Sequence, residues 1–261
     1  MKHNKIIIFD WAGTTVDFGS LAPVTAVMKA FEHFGLKPTL SETRAPMGLD
    51  KRTHLARMLA GERLAGAWAE KFGRRPGEAE VDQVYARFEP ALRAVLGRHA
   101  DLLPGVPETT ARLRALGFKI GSTTGYNRAM MDLLVPAARA AGYAPEVLVC
   151  PDEVGGRGRP YPHMLWRALE KLGAESLAGV VKVGDTLADI AEGLNAGCLS
   201  LGVIAGSSLL GLTRAEFEVM PEAEKKTRFE CARQEYLAAG ASGVLNDLYE
   251  LPDWLAEYPK R

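Results

Sequence analysis

The sequence predicts an α/β protein: a doubly wound parallel-sheet core with an inserted α-helical cap domain. Three observations carry this. Short β-branched runs recur along the 261-residue chain with helix-period segments between them, the pattern of βαβ units. Roughly eighty residues after the first run hold no strand-like segment, which is long for a single crossover. The composition, 47% hydrophobic and 25% charged, is that of an ordinary globular protein with enough apolar material for a full core.

In chain order, Ile6 to Phe9 is an apolar run ending at Asp10 and reads as a buried strand. From residue 20 to 102 helix signals dominate. Val24, Val27, Met28 and Phe31 fall at i, i+3, i+4 and i+7, and Gly35 supplies a stop. Asp50 can cap a helix that begins at Lys51. Val81, Val84, Tyr85, Phe88, Leu92, Val95 and Leu96 keep one apolar face, which Pro90 is expected to kink or divide. This block is expected to be a lid over a core made of residues 1–19 and 103–261, hinged near Gly19 and Leu103-Pro104-Gly105. Further strands are expected at Phe118 to Ser122, Val147 to Val149, Val180 to Val183 and Leu199 to Ile204. Thr213 and Glu216 have the spacing of a capping box.

Lys plus Arg equals Asp plus Glu at 32 each, so there is no basic bias to suggest a nucleic-acid partner. Cys150, Cys198 and Cys231 are odd in number and widely spaced, which argues against a disulfide framework or a structural zinc site. They are expected to be small buried hydrophobes in a reducing cytoplasm. The apolar stretch before Asp10 is too short for a signal-peptide core or a membrane span. A cytoplasmic protein with no membrane partner is the expectation.

Three clusters carry chemistry, each just beyond a predicted strand, where parallel sheets bind their ligands. In Asp10-Trp11-Ala12-Gly13-Thr14 a carboxylate leaves a strand beside a glycine that lets the backbone turn closely, as a nucleophile toward phosphorus requires. Alone, that run fits an ordinary turn equally well. Ser122-Thr123-Thr124-Gly125-Tyr126 offers hydroxyl and main-chain donors to a phosphoryl oxygen. Val183-Gly184-Asp185-Thr186-x-x-Asp189 sets two carboxylates one helical turn apart, hard oxygen ligands suited to Mg²⁺. The three together, in this order, are far more specific than any one. In the cap, the helix dipole and the adjacent Arg52 are expected to disfavour the ammonium of Lys51, leaving a free amine able to condense with an aldehyde. His54, three residues on, is a candidate for proton handling or for ordering water, although taken alone a cap lysine is usually solvated and a lone histidine more often structural.

With these clusters in place, the chain resembles the haloacid dehalogenase superfamily and, more closely, its phosphonatase family, the phosphonoacetaldehyde hydrolases. The closer resemblance rests on Asp10-Trp11-Ala12-Gly13-Thr14-Thr15-Val16-Asp17, Pro46-Met47-Gly48-Leu49-x-Lys51, Gly121-Ser122-Thr123-Thr124-Gly125-Tyr126, Gly158-Arg159-Pro160-Tyr161-Pro162, Lys182-Val183-Gly184-Asp185-Thr186 and Gly206-Ser207-Ser208-x-x-Gly211-Leu212. It implies a Rossmann-like core, with Asp10 as nucleophile. It also implies Asp10, Asp185 and the main-chain oxygen of Ala12 as Mg²⁺ ligands, with Asp189 supporting the metal from outside, through water. Thr124, Gly125 and Arg159 would hold the phosphonyl group; Arg159 is preferred to Arg157 because it keeps the Gly-Arg-Pro-Tyr-Pro context. Lys51 would form a Schiff base with the substrate aldehyde, near Met47, His54 and Tyr126. Two departures stand out: Ser20 replaces a Cys of some relatives, and the loop from Gly155 to Arg159 is one residue longer.

The resemblance further implies a small-molecule substrate, phosphonoacetaldehyde, cleaved to acetaldehyde and phosphate in the degradation of 2-aminoethylphosphonate. It also implies a homodimer through the cap, whose apolar stripes could serve either that interface or the cap's own core. Elsewhere in the superfamily a second acid usually stands two residues after the nucleophile and protonates a departing oxygen, whereas here position 12 is Ala. An imine at Lys51 would accept the carbon–phosphorus electron pair as an enamine and needs no such acid. A capped phosphomonoesterase or sugar-phosphate mutase would want the acid and has no use for Lys51. A non-catalytic relative that only binds a phosphorylated metabolite has no need of Asp10, Lys51, Asp185 and Asp189 together.

Overall fold

Ile6–Phe9 forms strand β1, and all four side chains are buried, because a parallel strand with helices on both faces has no wet side. The computed structural model describes residues 4–257; the first residues of the chain start, which enter the expectation about targeting, lie outside them. The other strands are β2 (Lys119–Thr123), β3 (Val147–Val149), β4 (Val180–Gly184), β5 (Leu199–Val203) and β6 (Gly243–Leu245). They make one sheet in the order β3-β2-β1-β4-β5-β6 with every neighbouring pair parallel.

Three strand expectations need correction. Pairing at β2 starts with Lys119 opposite Ile6, so Phe118 lies outside the strand. Gly184 extends β4, and Ile204 falls just beyond β5. The edge strand β6 has no counterpart among the expected runs, since three residues are too few to show a period of two.

In the central strands Ile7, Phe9, Val181 and Val183 share a core with helices α6 (Val106–Ala115), α7 (Arg128–Ala140) and α12 (Leu251–Glu257). Ile6, Ile8 and Val180 share one with α8 (His163–Lys171) and the end of α9 (Leu187–Ala196). The alternation of the two sets along β1 and β4 is the period of two read across the sheet. Thr213 and Glu216 do form a capping box, at the start of α10 (Arg214–Val219), and α11 (Glu222–Ala238) covers β6. Chain order reverses at β1, with β2 and β3 on one side and β4 to β6 on the other. Phe9 pairs with Val183, so Asp10 and Asp185 emerge near one another at the carboxyl end of the sheet. That is where such sheets form a binding crevice.

The inserted cap is entirely helical among the described residues: α1 (Leu21–His33), α2 (Leu40–Arg44), α3 (Lys51–Ala60), α4 (Glu62–Phe72) and α5 (Glu78–Leu96). Val27 and Phe31 of α1 share one buried core with Val81, Val84, Phe88, Leu92 and Val95 of α5, and Tyr85 packs half-buried against it; Val24 is buried and Met28 half-buried. These stripes therefore build the cap's own interior. Gly35, at φ 66°, ends the first helix in the left-handed region that a β-carbon disfavours. Pro90 does not divide α5, which runs unbroken through it. The residue is exposed, so water can satisfy the carbonyl it leaves unpaired while packing against α1 holds both halves of the helix in line.

The two linkers to the cap run side by side. Val16 and Leu102 form a single antiparallel bridge, Asp17 N–H donates to the Asp101 carbonyl at 3.2 Å, and Leu103 N–H donates to the Thr15 carbonyl at 3.0 Å. Of the cysteines, Cys150 and Cys198 are buried as expected, but Cys231 is exposed on α11. No described helix is long and apolar enough to cross a membrane.

Candidate active site

Asp10 follows β1 directly, and its N–H donates to the Val183 carbonyl of β4 at 2.9 Å. The next turn is tight: Gly13 sits at φ 86°, and a β-carbon there would lie 2.3 Å from Oδ2 of Asp185. Only glycine lets the two strand-end loops approach this closely. Asp185 is held on both oxygens. Thr14 Oγ1 donates to its Oδ1 at 3.0 Å and Ser208 N–H to its Oδ2 at 2.8 Å. Asp189 lies one turn into α9, where Thr186 caps the helix and gives its hydroxyl to Oδ2 of Asp189 at 2.6 Å.

Arg159 comes from the long loop after β3 and threads into this acidic group. Nη2 donates to Oδ1 of Asp10 at 2.6 Å, Nη1 lies 3.0 Å from Oδ1 of Asp189, and Nε donates to Oε2 of Glu192 at 2.9 Å. Arg157, two residues away, is exposed and lines a different surface depression with His163 and Trp166. The structure thus brings Arg159, and not Arg157, to Asp10.

Lys182, Glu192 and Thr123 belong to the same network, and sequence reading passed over them as site residues. Lys182 Nζ lies 2.8 Å from Oδ1 of Asp189 and 3.3 Å from Oε2 of Glu192, and it donates to Thr123 Oγ1 at 3.0 Å. A lysine in the middle of a strand buried on both faces was the available signal, because an interior ammonium requires carboxylate partners. Glu192 is three residues after Asp189 and shares its helix face.

One ligand oxygen from each of Asp10, Asp185 and Asp189 falls within 4.8 Å of the others. Four buried carboxylates (Asp10, Asp185, Asp189, Glu192) face the buried cations Arg159 and Lys182 and the Lys51 amine, an excess of one negative charge with Lys51 protonated and of two with it neutral. Burial, then the neighbouring Asp10 and Asp189, pushes the Asp185 carboxyl well above its usual range. Asp10 is likewise raised by burial, although Arg159 opposes this. Asp189 goes the other way: burial raises it, but Arg159 and Lys182 prevail and hold it low. A divalent cation coordinated by hard oxygens fits both the donor set and the charge imbalance.

Lys51 is the first residue of α3, and Oδ1 of Asp50 caps that helix by accepting from Thr53 N–H at 3.0 Å. Its side chain is buried, with Nζ 5.1 Å from the centre of the Tyr126 ring. Burial pulls its pKa from 10.5 to about 8, against the attraction of Asp10 and with help from the positive Arg159. Arg52 has no part in this, contrary to the sequence-based expectation. It turns outward to Glu78 at 2.7 Å and Asp82 at 2.8 Å, where solvent screens it. His54 is fully buried behind Lys51 and is not among the residues that line the cavity. Burial and the neighbouring Lys51 lower its pKa to about 3, so the imidazole stays neutral.

The remaining residues singled out by sequence close around Asp10 and Lys51. Ala12, Ser20, Met47, Gly48, Thr124, Gly125, Tyr126 and Arg159 line one cavity with them, of about 20 Å³, room for little more than a water molecule. The cap loop is pressed onto the core, since a β-carbon on Gly48 would lie 2.2 Å from Thr186 Oγ1 and one on Gly125 would lie 2.5 Å from the Leu49 carbonyl oxygen. This is a closed arrangement. Ala12, the position of the superfamily's usual second acid, is among the lining residues.

The family profile of haloacid dehalogenase-like hydrolases matches residues 4–197. A phosphonoacetaldehyde hydrolase of Bacillus cytotoxicus is 45% identical, with 95% of this chain and 94% of that one aligned. The chain belongs to the phosphonoacetaldehyde hydrolase family of the haloacid dehalogenase-like hydrolases. Another member of this family, a bifunctional phosphonoacetaldehyde hydrolase/aminoethylphosphonate transaminase of Clostridioides difficile, is 44% identical over 96% of this chain; the chain spans 39% of that protein's length. The crystal structure of a phosphonoacetaldehyde hydrolase-like protein from Oleispira antarctica superposes with a TM-score of 0.92 at 35% identity, covering 99% of this chain and 96% of that one.

Proposed function

We propose that this protein hydrolyses the carbon–phosphorus bond of phosphonoacetaldehyde to acetaldehyde and phosphate through an imine at Lys51 and a phosphorylated Asp10. The observation that carries this reading is the meeting of a buried, weakly basic amine with a buried carboxylate in one closed cavity, beside a methyl group at position 12. Family membership and the names of its relatives support the reaction class.

The unprotonated Lys51 amine adds to the aldehyde carbon and, with loss of water, gives a protonated imine. Arg159 holds one oxygen of Asp10, leaving the other for attack on phosphorus. As the oxygen–phosphorus bond forms, the carbon–phosphorus pair moves into the imine and leaves an enamine on Lys51. Thr124 Oγ1 accepts from Tyr126 N–H at 3.1 Å, so its own proton is free to point at a phosphonyl oxygen, beside Gly125 and Arg159. Water then cleaves the aspartyl phosphate, and protonation and hydrolysis of the enamine release acetaldehyde and the amine. Met47 and Tyr126 wall the aldehyde end. Asp10, Asp185 and the main-chain oxygen of Ala12 would hold Mg²⁺, which supplies charge neutralisation at the phosphonyl oxygens. Asp189, with both oxygens already engaged by protein groups, suits an outer place.

Incubation with phosphonoacetaldehyde and Mg²⁺ is expected to give acetaldehyde and phosphate in equal amounts, and borohydride is expected to label Lys51 only when substrate is present. Absence of label together with turnover of phosphate monoesters would overturn the reading. For the metal, Mg²⁺ at 100 times its Kd is expected to stabilise the wild type by about 2.7 kcal/mol, read as a rise in Tm. Asp185→Asn is expected to abolish that rise while increasing the Tm measured in chelator, because it removes a buried carboxylate from a cluster with an excess of negative charge. A Mg²⁺ response retained in Asp185→Asn would exclude the ligand set.

The domain limits that serve this scheme are a core of residues 1–19 and 103–261 and a cap of residues 20–102. We place the enzyme in the cytoplasm, where its three free cysteines would persist as thiols. It would form a homodimer through the cap, whose outer face keeps Leu40 and Phe72 exposed; light scattering at the expected dimer mass checks this.

A further inference from the structure

We propose that Arg44 is a positioning residue that latches the cap to the core loop 206–211 and thereby sets where Lys51 meets the Asp10 site. The part that concerns Lys51 rests on the function proposed above. Arg44 is the last residue of α2, in the cap, and every group it holds lies outside the cap helices. Nη1 donates to the carbonyl of Gly19 at 3.0 Å and of Ser208 at 3.2 Å, and Nη2 donates to the carbonyl of Gly211 at 3.1 Å. Gly19 is in the first linker; Ser208 and Gly211 are in the loop that follows β5. Among the described residues no salt bridge involves Arg44. A planar fork is needed to reach three main-chain oxygens at once, and lysine has none.

The receiving loop is shaped for this side chain. Gly211 sits at φ 62°, and a β-carbon there would lie 2.7 Å from Arg44 Nε. The proposed chemistry leaves Gly206-Ser207-Ser208-x-x-Gly211-Leu212 largely unused, and the Arg44 contacts give it a purpose. Ser208 has two partners of consequence: its carbonyl accepts from Arg44, and its N–H donates to Oδ2 of Asp185 at 2.8 Å. One residue thus touches both the cap and the acidic cluster. On the cap side, the Arg44 carbonyl accepts from Met47 N–H at 3.0 Å, so the anchor immediately precedes the loop that carries Gly48 onto Thr186 and leads into Lys51.

At the linkers the cap is also tied to Asp17, which accepts from the Leu21 and Ala22 N–H groups at 3.0 Å each and lies 2.9 Å from His99 Nδ1, but these bonds sit at the hinge. Away from the linkers the other polar links from cap to core are longer: Arg159 Nη1 to the Gly48 carbonyl at 3.4 Å, and Asn127 Nδ2 to Tyr85 Oη at 3.3 Å. Burial lowers the pKa of Arg44 while Asp17 and Asp185 pull it upward, which places the cation within the field of the acidic site. Charge-assisted bonds to neutral carbonyls release a guanidinium to water more easily than a carboxylate would. Such a contact can hold the closed state and still open in each cycle.

Arg44→Ala and Arg44→Lys, compared with wild type, provide the test. Hydrogen exchange at the linker amides of Asp17 and Leu103, measured without substrate, is expected to be at least about tenfold faster in Arg44→Ala, since opening sets that rate. In the same variant kcat/KM for phosphonoacetaldehyde and the rate of borohydride labelling of Lys51 are expected to fall together by about 10- to 100-fold. Arg44→Lys is expected to fall between, and it serves alone if Arg44→Ala does not fold. A purely structural role would lower Tm without changing linker exchange or labelling in the folded enzyme. Unchanged linker exchange overturns the latch; faster exchange with unchanged labelling overturns its connection to Lys51. A wild type that borohydride never labels would instead defeat the imine reading, and the exchange comparison would still decide the latch.

Discussion

Asp10→Asn is expected to keep borohydride labelling of Lys51 while phosphate release falls on the order of 10⁴-fold or more. The amide lacks the negative charge that attacks phosphorus, yet its oxygen can still accept from Arg159 Nη2, as Oδ1 of Asp10 does at 2.6 Å. Arg159 therefore stays in place. Asp10 is also the largest influence holding the Lys51 amine in its charged form, so its loss makes that amine less basic and no slower to condense. A labelled, inactive variant would separate the two halves of the reaction: imine formation at the cap residue and phosphorus transfer at the core residue. If phosphate release persisted in Asp10→Asn, the assignment of the nucleophile would be wrong.

Lys51→Arg is expected to lose both the label and at least about 10³-fold of kcat/KM. A guanidinium keeps the charge but does not condense with an aldehyde. The pH profile of the wild type carries the same information. Burial takes Lys51 from 10.5 down to about 8, and only the unprotonated amine reacts. The rate should rise with pH through an apparent pKa near that value and level off above it, because protonation removes the nucleophile below it. In Asp10→Asn the corresponding limb, followed by labelling, should move to lower pH. A wild-type profile that is flat from pH 6.5 to 9 would rule out amine attack as a governing step.

Much of this arrangement is written locally. The runs at Ile6 to Phe9 and Val147 to Val149 match β1 and β3 residue for residue, because a buried parallel strand is a continuous apolar segment bounded by polar or turn residues. Asp10, Asp185 and Asp189 could be singled out because a strand end followed by glycine or a helix cap is itself a local pattern. Lys51 could be placed at a helix start because Asp50 caps it. Where local rules fell short, tertiary packing had overridden them. Pro90 lies in an unbroken helix because α1 supports both halves, and β6 exists because β5 offers it an edge.

By itself the sequence determined the parallel core, the helical insertion and the types of residue at each strand end, since these follow from periodicity and from neighbours a few positions apart. Tertiary structure alone decided which arginine meets Asp10, how Arg159 and Lys182 offset part of the charge of four buried carboxylates, and why Lys51 is a weak base. Arg52, expected with the helix dipole to cause that last property, is spent on surface carboxylates; burial is the largest cause, with Arg159 close by. The physical reason is common to all three. Coulomb interaction and desolvation depend on distance in space and on access to water, and Arg159 reaches Asp10 across 149 positions of sequence that no local pattern spans.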